Sequence, residues 1–235
     1  VYQTKPADAR KLGAARFILV NVLCLEGWID RLIRASGAKA PVIVATKGIN
    51  PQKMREEGRI GPDPHAWQSI VNAKIYVANI RDGLISADPA GEAAYRANTE
   101  NYAGKLDALE AEVLAEIAKI PQGRRQIITT HDAFGYFGAA YGLRFIAPEG
   151  ISTETEASAL DVAKIIRQIK AQEIPAVFLE NVTDPRLVRS IAEESGATVG
   201  GTLFSDALSP PDGPASTYIE MMRNNVRELA AALAN

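Results

Sequence analysis

Cysteine is nearly absent from this chain of 235 residues, where Cys24 stands alone. A single cysteine excludes an intramolecular disulfide and a thiolate zinc knot. Its neighbours Val22, Leu23 and Leu25 are apolar, so the thiol is expected to be buried as a small hydrophobe. Histidine is almost as scarce, with only His65 and His131. Long hydrophobic runs are missing: the most apolar stretch, Phe17 to Leu25, is strand length and far short of the roughly 18 residues a membrane span needs. Neither charge sign dominates. The net charge is −2 and the pI about 5.8, which gives no support to a nucleic-acid footprint. No Gly-x-Gly-x-x-Gly, phosphate loop or Gly-x-Ser-x-Gly elbow occurs. What is present is a 47% apolar composition, ample for a packed core, in a length that suits one large domain or two lobes.

The chain reads as α/β. Pro6 to Ala14 predicts a short helix with Pro at its start and Asp8 in its first turn. Arg16 to Val22 reads as a strand covered on both faces, and Glu26 to Ala35 as a helix. Val42 to Ala45 follows as a strand. Lys47 to Gly61 reads as a polar loop, with Lys53 to Arg59 a solvated charge run. Two prolines, Pro62 and Pro64, stiffen the entrance to a helix over 66–84 through Asp63-Pro64-His65-Ala66-Trp67. Asp88-Pro89 signals an N-cap and a first helical residue. From there Tyr102, Leu106, Leu109, Val113, Ile117 and Ile120 recur at helical spacing. A helix over 89–120 would be roughly 45 Å long, too long for an ordinary crossover and suited to bracing two lobes. The second half predicts strands at 125–130, 144–147, 175–179 and 197–204. Helices at 132–141, 157–172, 185–195 and 217–233 alternate with them, and Gly150 to Glu156 is a polar loop.

Three residues share one placement: His65 at a helix entrance, and His131 and Asp206 at strand ends. Ligands in open α/β sheets bind at the carboxyl ends of strands. Imidazole and carboxylate on stiff backbone are the donors of borderline divalent metals. Each residue alone also reads as a cap, a turn or a packed side chain. Trp67, Phe134, Tyr136 and Phe204 could wall a site or simply fill the core. Glu180, ending strand 175–179, is a candidate to orient a ligand histidine. Asp132, beside His131, is the other such candidate, although its place suggests a helix cap. A carboxylate pair of Glu154 with Glu180 can be drawn, but nothing in the sequence ties the two together.

At these residues the chain resembles the zinc- and manganese-binding solute-binding proteins of bacterial ABC importers. The resemblance runs through Asp63-Pro64-His65-Ala66-Trp67, the long helix, Thr130-His131-Asp132-Ala133-Phe134 with Tyr136-Phe137, Leu203-Phe204-Ser205-Asp206, and Tyr218 to Val226. It implies two α/β lobes joined by one rigid helix with a metal site between them: residues 1–88, the helix 89–120, and 121–235. It implies His65, His131 and Asp206 as metal ligands. Val1 to Asp8 resembles the family's segment immediately after its first-ligand histidine, so a further histidine is expected just upstream of Val1. The first strand and helix, roughly 30 residues, are expected there too. Val1 to Pro6 does not read as a signal peptide, and the chain reads as a processed product or a fragment.

Manganese-type members of the family tend to carry glutamate where His131 stands. A nitrogen-rich site favours Zn(II) over Mn(II). The expected role is periplasmic or surface-attached capture of Zn(II) and its delivery to an ABC permease. A metallochaperone is a further candidate partner, and neither nucleic acid nor a membrane span in this chain is expected. The alternatives are a metal-dependent enzyme with a two-His-one-carboxylate site, for which the sequence designates no general base, and a manganese importer component or adhesin.

Overall fold

The computed structural model describes residues 4–56, 59–147 and 158–234. Val1 to Gln3, part of the charge run, and the loop Gly150 to Glu156 with Glu154 lie outside the described residues. The chain divides into two compact units, Val1–Met54 with Ile60–Asp107, and Arg55–Arg59 with Ala108–Asn235.

In the first unit, α1 (Pro6–Gly13) starts on Pro6, and the Asp8 carboxylate accepts from the Lys5 N–H at 2.8 Å. β1 (Ile18–Val20) and β2 (Val42–Val44) pair in parallel, on either side of α2 (Ile29–Ser36) in the chain. The strand is shorter than the apolar run from which it was expected. Ile18 and Val20 are buried, but Leu19 is 42% exposed and Val42 47%, so these strands are not covered on both faces among the described residues. After Asn21 the backbone turns left-handed at three successive non-glycine residues: Val22 (φ +67°), Leu23 (+49°) and Cys24 (+69°). Left-handed backbone costs about 1–2 kcal/mol per L-residue. The Glu26 carboxylate offsets part of this by accepting from the Asn21 and Val22 N–H groups, each at 2.8 Å. This turn takes Cys24 off the strand, and the thiol is exposed rather than buried.

The stretch expected as a polar loop instead forms β3 (Lys53–Glu56) and β4 (Arg59–Pro62), a two-stranded sheet. A single 3-10 turn, Ala66–Gln68, precedes α3 (Ile70–Ala87), whose N-cap is Ser69. The long helix α4 (Glu92–Ala118) is entered through another 3-10 turn, Pro89–Gly91. Asp88 makes no side-chain cap bond; its carboxylate accepts from the Tyr95 hydroxyl at 2.7 Å. The boundary between the units falls within α4. Leu106, Leu109, Val113 and Ile117 are buried along one face, and Ile120 is buried just past its end.

In the second unit, Arg125 donates to the carbonyls of Ile117 and Ile120, closing the end of α4 as the chain enters β5 (Gln126–Ile128). Then come α5 (Gly135–Tyr141), β6 (Arg144–Ile146), α6 (Ala159–Gln172), β7 (Ala176–Glu180), α7 (Pro185–Ser195), β8 (Thr198–Leu203) and α8 (Tyr218–Leu233). Ser158, Asp184 and Thr217 each cap their helix with a side-chain oxygen. The strands are parallel in the order β6-β5-β7-β8. Ile128, Val177, Ile165, Ile169, Val188 and Ile191 form a core between strands and helices. The chain leaves β5 toward β6 on one side and returns as β7 on the other. Ligands in open α/β sheets bind at the carboxyl ends of strands on either side of such a reversal, here β5 and β7.

Two glycines test the packing. A Cβ on Gly138 would sit 2.6 Å from the Leu143 carbonyl oxygen, whereas one on Gly104 meets nothing within 4 Å. Gly138→Ala is expected to destabilise by about 1–3 kcal/mol. Gly104→Ala, inside α4, is expected to stabilise by about 0.5–1 kcal/mol. Urea midpoints of the two variants check the opposite signs.

Candidate metal centre

In the first unit, His65 is fully buried and follows Pro64. The Asp63 Oδ1 accepts from the His65 backbone N–H at 2.9 Å and lies 2.8 Å from Nδ1 of its ring. A carboxylate there holds the proton on Nδ1, turning the Nε2 lone pair into the donor. Trp67 sets its ring edge-on to the imidazole, with centroids 5.3 Å apart. The Pro64 carbonyl accepts from the Ala66 N–H at 2.9 Å and from Asn21 Nδ2 at 3.0 Å.

The second unit repeats the arrangement. His131 follows β5 and is fully buried, and Glu180 is the last residue of β7, the neighbouring strand. Glu180 Oε1 accepts from the Thr130 and His131 N–H groups at 2.8 and 2.9 Å. Its Oε2 lies 2.7 Å from His131 Nδ1. One carboxylate thus fixes both the backbone and the ring. On the other side, His131 Nε2 lies 3.3 Å from Oδ2 of Asp206, whose side chain is 29% exposed. Asp206 follows β8 and is carried by a fastened loop. The Asn225 side chain of α8 both accepts from the Phe204 N–H and donates to the Phe204 carbonyl, each at 2.8 Å. Asn181 reaches the Ala207 carbonyl at 3.0 Å.

The structure therefore brings His131, Asp206 and Glu180 together in one unit, and sets His65 against Asp63 in the other. Asp132 does not cap α5. The N-cap position is Phe134, with no side-chain bond, because the chain spends residues 132–134 in a bend before the helix begins. Phe134, Tyr136 and Phe204 are core: Phe134 stacks on Phe145 at 5.0 Å. Sequence reasoning passed over Asp63, Asn21 and Asn225 as individual contributors. The Asp-x-His spacing was the available signal for the first. Asn21 and Asn225 act across 43 and 21 residues, respectively, which no local pattern announces.

The profile of the ZnuA family, described as zinc-uptake complex component A, periplasmic, matches residues 1–232. The chain belongs to this family. It is a metal-binding, substrate-binding component of an ABC transporter and not an enzyme. Among curated relatives of the family, it is 35% identical to "Iron-binding protein YfeA" of Yersinia pestis, over 97% of this chain and 74% of that one. It is 30% identical to "Manganese-binding lipoprotein MntA" of Halalkalibacterium halodurans, over 99% and 77%. Among solved structures, it superposes on the periplasmic zinc binding protein TroA from Treponema pallidum with a TM-score of 0.92 at 29% identity, covering 100% of this chain and 87% of that one. A manganese-bound periplasmic metal binding protein from candidatus Liberibacter asiaticus gives 0.89 at 31%, covering 99% and 86%.

Burial pushes the His131 imidazole down, but the flanking Asp206 and Glu180 carboxylates more than reverse this and raise its pKa to about 10. At neutral pH the ring of the metal-free protein is an imidazolium between two carboxylates. A pKa raised on folding contributes stability that is complete below the ordinary value near 6.5 and is lost as pH climbs through about 10. The metal-free protein is expected to lose urea resistance between pH 7 and 10, and His131→Gln to flatten that loss. Equilibrium unfolding across this range checks it.

Proposed function

We propose that this protein captures Zn(II) outside the cytoplasm, in the periplasm or at the cell surface, and delivers it to the permease of an ABC importer. His65, His131 and Asp206 supply protein ligands, and Asp63 and Glu180 orient the two imidazoles. The observation that carries the reading is the His131 ring, with Nδ1 against Glu180 at 2.7 Å and Nε2 turned to Asp206. Two imidazole donors and one carboxylate make a nitrogen-rich set, which suits Zn(II) better than the harder Mn(II). A carboxylate behind each histidine sharpens its basicity and orientation, as at built metal sites.

A second reading has Mn(II) or Fe(II) as the cargo. The curated relatives named for iron and manganese favour it. The two separate on competition. Zn(II) is expected to raise the melting temperature, with stabilisation of about 4 kcal/mol when free metal is a thousand times the dissociation constant. A large excess of Mn(II) or Fe(II) should not displace it. His131→Ala and Asp206→Ala should each abolish most of the shift. No shift with Zn(II) in the full-length protein, or displacement by equimolar Mn(II) or Fe(II), would sink the zinc reading.

Metal must also displace the proton from His131 Nε2. Zinc affinity is therefore expected to rise about tenfold per pH unit between pH 5.5 and 8 on account of this ring. Calorimetry in buffers of different ionisation enthalpy should register the proton released; the same heat in every buffer would contradict it.

A further inference from the structure

Asn21 is bonded on every side. Its backbone N–H donates to Glu26 at 2.8 Å, and its carbonyl accepts from the Thr46 hydroxyl at 2.5 Å. Its Oδ1 accepts from the Tyr76 hydroxyl. Its Nδ2 donates to the Pro64 carbonyl at 3.0 Å and, more weakly, to the Val22 carbonyl at 3.3 Å. Tyr76 belongs to α3, so the amide is aimed by a helix rather than left to a loop rotamer. The Pro64 carbonyl is the acceptor that matters. It belongs to the peptide bond that enters His65, and its other bond goes to the Ala66 N–H. With both acceptor directions filled, that peptide plane cannot rotate, and proline already fixes its own φ. The direction of the His65 ring is then set by Asp63 from within the segment and by Asn21 from outside it.

Asn21 is also the residue on which the left-handed turn begins. Val22 in this conformation is an outlier for a β-branched side chain, and such outliers persist only where the surroundings over-determine them. The surroundings here are Glu26 on the two N–H groups and Thr46 and Tyr76 on Asn21. The turn leads directly to Trp28, at the N-terminus of α2.

We propose that Asn21 is a positioning residue for metal capture: by holding the Pro64 carbonyl it fixes His65 for its ion, and it couples that segment to the left-handed turn Val22–Cys24, which responds when His65 takes a metal. This rests on His65 being a ligand, as proposed above. Asn21→Asp keeps an acceptor for Tyr76 and removes the donor to Pro64, at nearly unchanged volume.

The test uses Zn(II) with the full-length protein and a chromophoric competitor chelator. Asn21→Asp is expected to weaken zinc binding by about 10–100-fold, the usual loss when an outer partner of a metal ligand is removed. Ser36→Ala is the structural control. It removes the hydroxyl that donates to the Ile33 carbonyl and accepts from the Ala38 N–H at the end of α2, in the same unit and away from the groups that hold Asn21. It should bind zinc within about threefold of the unaltered protein, even where its metal-free melting temperature falls. The proposal is overturned if Asn21→Asp binds zinc as tightly as the unaltered protein, or if Ser36→Ala loses as much affinity. A second readout covers the case in which Asn21→Asp does not fold. The chain has two tryptophans, so Trp67→Phe leaves Trp28 as the sole indole while keeping an aromatic edge beside His65. Its emission is expected to change on adding Zn(II), and a Trp28 signal indifferent to bound zinc overturns the coupling. If the unaltered protein binds no zinc, it is the assignment of the cargo that fails.

Discussion

The carboxylate of Glu180 is the point on which the second unit's site depends. It terminates β7, takes two backbone N–H groups from the residues leaving β5, and lies against the ring of His131. A buried carboxylate is tolerated only when its oxygens are satisfied. Here its acceptors are used on the segment that has to be held still. The interaction thus converts a sheet-level fact, that β5 and β7 are neighbours across the chain reversal, into a side-chain fact, the direction of one imidazole. Without it, His131 would be a residue in a bend with no helix cap to steady it.

The first unit solves the same problem with a shorter device. Asp63 lies two residues from His65 and makes the same pair of contacts, one to the backbone N–H and one to Nδ1. The two histidines are therefore held alike by unrelated means, one within a proline-stiffened turn and the other across a parallel sheet. In both, Nδ1 faces the carboxylate and Nε2 lies on the far side of the ring. A binding protein has no transition state to stabilise, and its chemistry lies in donor identity and in the work of aiming the donors beforehand.

Much of this was legible in the sequence. The alternation of apolar runs and amphipathic stretches in the second half predicted each strand and helix to within a few residues, because the local period is clear there; the structure adds the caps at Ser158, Asp184 and Thr217. His65, His131, Asp206 and Glu180 were visible because they sit where stiff elements end. The misses have local causes. Cys24 was read from its apolar neighbours, but a left-handed turn held by Glu26 exposes it. The two-stranded sheet β3–β4 carries too many charges to show an apolar alternation in the sequence. Asp88 and Asp132 both stand where caps are expected, yet Tyr95 takes the carboxylate of Asp88, and α5 begins after Phe134. Asn21 and Asn225 act at long range and were silent in any window of sequence.

The grip of Asn225 on Phe204 carries a consequence for assembly. An amide that both accepts from the N–H and donates to the carbonyl of one residue imitates a neighbouring strand, so α8 supplies such a partner to Phe204, just past the end of β8. Asp206 lies two residues beyond. It acquires its place only when the last helix has docked, so the carboxylate proposed as a ligand is set late in the making of the chain. On the proposed ligand set an ion binds the finished fold, and its binding energy then adds to the stability of that fold.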